Sequence, residues 1–88
     1  MQTLLKFTIL NRKTKERTEI GKYYEGFLPF SEGTIVTTGL YMLRVERVSF
    51  SAALSPTLTV DLDEAVASSD QDKMNCIAML ERFGWEVI

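Results

Sequence analysis

The 88-residue chain has room for one domain, and its 45% hydrophobic and 25% charged residues argue against wholesale disorder and for a single fold over residues 1–88. A lone cysteine, Cys76, rules out an intramolecular disulfide, and the absence of histidine removes the commonest general base, the commonest metal ligand and every Ser-His or Cys-His nucleophile. The formal charge of −2 is unevenly spread: residues 1–44 carry seven basic and four acidic side chains, residues 45–88 three basic and eight acidic.

In chain order, Thr3 to Leu10 alternates with Leu5, Phe7 and Ile9 on one face and Leu4, Lys6, Thr8 and Leu10 on the other, the pattern of a half-buried strand. The polar run Asn11 to Glu16 is turn-compatible, and Arg17 to Tyr24 returns with Ile20 inward, so a hairpin with a basic tip is expected. Gly21 to Gly33 sets Tyr23, Tyr24, Phe27 and Phe30 among three glycines and a proline, the punctuation of a loop. Its aromatics divide on this reading, with Phe27 and Phe30 in the core and Tyr23 and Tyr24 at the rim.

Thr34 to Phe50 is the longest strand-like run and is expected as the bent central strand of the sheet. Tyr41, Leu43 and Val45 share one face, but Val48 and Phe50 fall one residue out of phase. A bulge or bend at Glu46 and Arg47 restores them to the core side and divides the run into two short strands. Leu40 to Leu43, apolar on both faces, is then expected at the sheet centre. Thr57 to Leu62 alternates again, Asp63 to Ser69 reads as a connector, and Ser69 with Asp72 resembles a capping box opening a helix over about 70–83. Cys76, Ile77, Met79, Leu80 and Phe83 form its apolar stripe, Gly84 supplies the C-cap, and Trp85 to Ile88 adds a short strand. The expected fold is therefore α+β: an antiparallel sheet of four to five strands with one C-terminal helix packed on it.

No nucleophile elbow, phosphate-binding glycine loop or dinucleotide fingerprint is present, and the acidic cluster Asp61, Asp63, Glu64, Asp70 and Asp72 lacks calcium-loop spacing. No catalytic residue, metal site or cofactor is expected, and the chain is not read as an enzyme. Neither a signal peptide nor a spanning segment is legible, since no apolar run exceeds five residues against the roughly 20 a spanning helix needs; a cytoplasmic, membrane-free protein is expected.

By elimination the sequence reads as a non-catalytic protein-binding module, a small inhibitor or regulatory adaptor of the kind phages and bacteria encode. It is expected to act through the aromatic loop surface and to self-associate as a homodimer. Tyr23, Tyr24 and Arg44 are the expected interface, joined by Leu4 and Leu10 if the first strand is a sheet edge. The alternative partner is nucleic acid or a nucleotide-like ligand at the hairpin tip, where Arg12, Lys13, Lys15 and Arg17 meet phosphates.

Overall fold

The computed structural model describes residues Met1–Ile88. Seven strands and one helix follow one another as β1 (Gln2–Asn11), β2 (Arg17–Glu25), β3 (Ile35–Thr37), β4 (Met42–Ser51), β5 (Thr57–Leu62), β6 (Ala65–Ala67), α1 (Asp70–Arg82) and β7 (Glu86–Val87). The strands run β3-β4-β5-β1-β2-β7 across the sheet, with β6 continuing beside β1 beyond β5, and the whole curls into a half-barrel.

The expected small α+β domain with one C-terminal helix is what forms, but the sheet has more strands and mixed direction. β1 pairs antiparallel with β2 and parallel with both β5 and β6, so it is the innermost strand. This displaces Thr34 to Phe50 from the centre. That run breaks at Thr38 to Tyr41 into β3 and β4, which lie at one side of the sheet with β3 as its edge. Leu40 and Tyr41 are apolar because their turn folds back onto the core, while Met42 is exposed, so Leu40 to Leu43 is not the sheet centre. The bulge does sit at Glu46: Val45 pairs with Leu62, Arg47 with Asp61, and Glu46 is the extra residue. The slip returns Val48 to the core, whereas Phe50 remains half exposed.

The clean alternation of β1 makes the sheet two-faced. Thr3, Leu5, Phe7, Ile9 and Asn11 are buried on the inner face, and Leu4, Lys6, Thr8 and Leu10 stand on the other. Ile20, Leu43, Val45, Val60 and Leu62 extend the inner face across neighbouring strands, with Ala65, Ala67, Leu80 and Trp85 completing the core. Two covers close it. The segment Gly26 to Gly33 straps one end, anchored where the Thr3 hydroxyl donates to Gly26 O (2.7 Å) and accepts from Leu28 N–H (3.0 Å).

The second cover is α1, which packs over β1, β6 and β7 and not over β4. Ser69 caps it, its hydroxyl accepting from Asp72 N–H at 3.2 Å, while the Asp72 carboxylate accepts from the N–H of Ser68, one residue before the cap, at 2.9 Å. At the other end Gly84 adopts φ 90 and donates to Glu81 O, while Trp85 N–H reaches Leu80 O, the paired bonds of a Schellman motif. Of the expected apolar stripe only Leu80 is fully buried; Cys76 and Ile77 are half-buried, and Met79 and Phe83 are exposed by about half.

Trp85 links helix, sheet and turn. Its ring meets Phe7 edge-on at 5.3 Å and its indole N–H donates to Thr38 O at 3.0 Å. Phe83 lies across Gly39, whose φ of 103 and whose missing Cβ, which would fall 2.6 Å from the ring, leave space for no other residue. Tyr41 packs edge-on against Phe7, and its hydroxyl is buried with no hydrogen-bond partner. Burial, followed by the adjacent Cys76 thiol and the Asp72 charge, raises the Tyr41 pKa above the ordinary phenol range. No helix is long and apolar enough to cross a membrane.

Candidate functional site

Because both covers lie on the inner face, the outer face of β1, β2 and β5 has no element of the chain over it. Its first feature is apolar. Leu4 on β1 stands directly opposite Tyr23 on β2, and Gly21, two residues before Tyr23, leaves a gap that the side chains of Leu4 and Ile88 fill. A Cβ on Gly21 would meet both at 3.0 Å, so glycine lets three strands close over one another here. Tyr23 and Ile88 are each about half exposed.

The second feature is an ion-pair band beyond the cluster. Lys6 Nζ lies 3.4 Å from Glu19 and 3.7 Å from Asp61, and Arg47 reaches Asp61 at 3.2 Å. Farther along, Arg17 Nε donates to Glu64 at 2.7 Å, and the Thr8 hydroxyl donates to the same carboxylate at 3.1 Å. Exposed pairs of this kind add on the order of 0–1 kcal/mol each, so they tune the surface more than they hold the fold. Leu10 and the exposed Val66, directly opposite each other, end the face.

At the bulge, Glu46 is brought against Asp63, and an open depression of about 550 Å³ is lined by Arg44, Val45, Glu46, Arg47 and Asp61. The hydrogen bond shared with Asp63, then that group's charge, raises the Glu46 pKa above the ordinary range, with Arg47 opposing. The Arg17 hydrogen bond, with help from Thr8, lowers Glu64, and the Ser68 N–H and hydroxyl lower Asp72. Glu64 and Asp72 therefore contribute stability that is complete above the unfolded carboxylate range and is lost as pH falls through their folded values. Glu46 has the opposite sign, contributing at low pH and losing that contribution as pH rises through its folded value. A carboxyl titration by NMR is expected to place the Glu46 midpoint above those of Glu64 and Asp72; the reverse order would remove the carboxyl-sharing account of the bulge. No group of three or more acidic or cysteine side chains is arranged to hold a metal ion.

The residues singled out in the sequence are divided by the fold. Leu4 and Tyr23 come together, but on a face and not at an edge, because β1 is paired on both sides. Leu10 shares that face at its far end. Tyr24 points inward, packing against the core with Lys22 Nζ 5.3 Å from its ring centre. Arg44 is on β4, with β5 and β1 between it and Tyr23, so the two do not form one surface.

The loop aromatics are also sorted differently from expectation. Phe30 packs on the core, while Phe27 is about half exposed and meets the half-exposed Phe50 edge-on at 5.5 Å. At the hairpin tip, Arg12, Lys13 and Lys15 are exposed and make no ion pair, while Arg17 is engaged by Glu64. Ile88 was not singled out, and its only sequence signal is the small residue it covers, Gly21. No protein-family model, curated protein or solved structure matches this chain.

Proposed function

We propose that the protein is a non-catalytic binding module that docks another protein through the outer face of its sheet. The observation that carries this reading is the uncovered cluster of Leu4, Tyr23 and Ile88, set beside a band of paired charges. An apolar centre with an aromatic residue, rimmed by polar groups, is the usual composition of a protein interface. Tyr23 is the anchor, Leu4 and Ile88 form the floor, and the ion pairs around Lys6 and Asp61 fix orientation through rim electrostatics. Leu10 with Val66 marks the far limit of the contact.

A photo-crosslinking residue placed at Tyr23 is expected to capture one discrete protein from the native host. The same probe at Met74, exposed on α1 and on the opposite side of the sheet, is expected to capture none. Tyr23→Glu in the purified pair is expected to weaken binding at least tenfold, with the circular dichroism spectrum unchanged. Equal capture from both positions, or binding indifferent to Tyr23→Glu, would remove the outer face as the docking surface. Binding to an anionic oligonucleotide that disappears in an Arg12/Lys13/Lys15 triple alanine variant would instead favour the hairpin tip and a nucleic-acid partner.

A further inference from the structure

We propose that the protein self-associates through the free edge of β4, pairing antiparallel with the same edge of a second copy about a two-fold axis at Ser49. This surface is separate from the outer face and does not depend on it.

β3 accompanies β4 only as far as Val45, where Val45 N–H donates to Thr34 O at 2.8 Å and Val45 O accepts from Gly33 N–H at 2.9 Å. From Arg47 to Ser51 the side facing away from β5 has no strand partner. Backbone groups alternate sides along a strand, and the extra residue at Glu46 shifts that alternation by one. The next residues whose N–H and C=O both point outward are therefore Val48 and Phe50. Neither makes any backbone bond on that side.

Edges of this kind are ordinarily protected by charge, proline or a covering element. Here Val48 to Ser55 holds no charged residue, and the first proline is Pro56. The opposite side of the sheet is treated differently: β7 covers β2 at Ile20 and Gly21, and Lys22 and Glu25 follow.

The register identifies the occupant as a second copy. An antiparallel pair that keeps one sheet face continuous requires a two-fold axis perpendicular to the sheet, passing through a residue. With the axis at Ser49, Val48 lies opposite Phe50 of the second copy, and the reverse, so all four outward N–H and C=O groups on each chain are satisfied. The two facing pairs are apolar on apolar, and Arg47 falls opposite Ser51, so no like charges meet. An axis at Val48 would set Phe50 against the Glu46 carboxylate. An axis at Phe50 would set Val48 against Ala52, past the end of the strand. Association also covers the exposed Phe27 and Phe50 rings, which are already in edge-on contact.

Light scattering and sedimentation across rising concentration are expected to show the mass moving from 10.0 kDa toward twice that value. Phe50→Lys is expected to hold the monomer at every concentration with its spectrum unchanged. In a Cys76→Ala background, Ser49→Cys is expected to oxidise to a covalent dimer, while Ser55→Cys, outside the paired stretch, does not. A mass fixed at the monomer, or a Ser55→Cys dimer forming as fast as the Ser49→Cys one, would overturn the proposal. Tyr23→Glu leaves the self-association intact, so failure of either surface is read independently of the other.

Discussion

Trp85→Ala is expected to remove a large share of the stability of the fold. The side chain is 4% exposed, and its loss opens a cavity against Phe7 while leaving Thr38 O without its donor. Large aromatic truncations of this kind cost about 3–5 kcal/mol. An 88-residue domain at about 0.05–0.15 kcal/mol per residue has roughly 4–13 kcal/mol in all. At about 4–8 °C per kcal/mol, the melting temperature should drop by at least about 12 °C. Trp85→Phe keeps much of the packing and gives up the N–H bond, a loss of about 1–3 kcal/mol. Because Trp85 is the only tryptophan, the variants are followed by circular dichroism and not by fluorescence. A loss below about 1 kcal/mol for Trp85→Ala would show that the turn at Thr38 to Tyr41 and the helix end are held by something else.

The second large effect is expected at Asn11, a fully buried polar residue at the end of β1. Its side-chain oxygen accepts from Lys13 N–H at 2.9 Å and more weakly from Thr14 N–H at 3.4 Å, while its amide donates to the Asp70 carboxylate. Its backbone closes the hairpin, donating to Glu16 O and accepting from Lys15 N–H, both at 2.8 Å. One side chain therefore orders the turn and ties it to the start of α1. Asn11→Ala removes all three side-chain hydrogen bonds from a fully buried position and is expected to cost about 2–3 kcal/mol by chemical denaturation. Asn11→Asp is the sharper probe. It sets a second carboxylate, on the fully buried position 11, against the Asp70 carboxylate, so it should be the less stable variant at neutral pH and recover on acidification. An Asn11→Asp protein as stable as the parent at neutral pH would contradict the amide-to-carboxylate contact.

The legible parts of the fold were those encoded within a few residues of one another. The alternation of Leu5, Phe7 and Ile9, the Ser69 and Asp72 cap and the Gly84 stop each act locally, and each appears at its expected place. The phase slip before Val48 located the bulge for the same reason, since a strand has no other means of moving its apolar residues across. The place of β1 at the centre was not legible, because it depends on parallel pairing with β5 and β6, more than fifty residues away, which leaves no mark in the β1 pattern itself. The apolar second face at Leu4 and Leu10 is the available hint, and by itself it is equally compatible with an edge strand and with a central one.

Ala65 to Ala67 is too short and too weak in strand propensity to stand out from a connector. Of the residues expected at an interface, Tyr23 stands out by residue type and Leu4 by the alternation of β1, but their adjacency is a matter of register. Arg44 was grouped with them only because nothing in the sequence separates the two sides of the sheet.

The position of β1 also determines how the chain reaches this structure. A β1–β2 hairpin can form early, yet the other side of β1 must wait for Thr57 to Asp61 and Ala65 to Ala67 to return alongside it. Closing loops of that length before any contact compensates for them makes the folding barrier largely entropic and places the rate in the slow range of mixed and all-β domains, about milliseconds to seconds. A fragment ending at Ser51 would hold β1 open on one side and β4 without its β5 partner. Mixing that fragment with one spanning residues 52–88 should restore the native fold, because the second fragment carries β5, the strand that pairs with both β4 and β1 of the first.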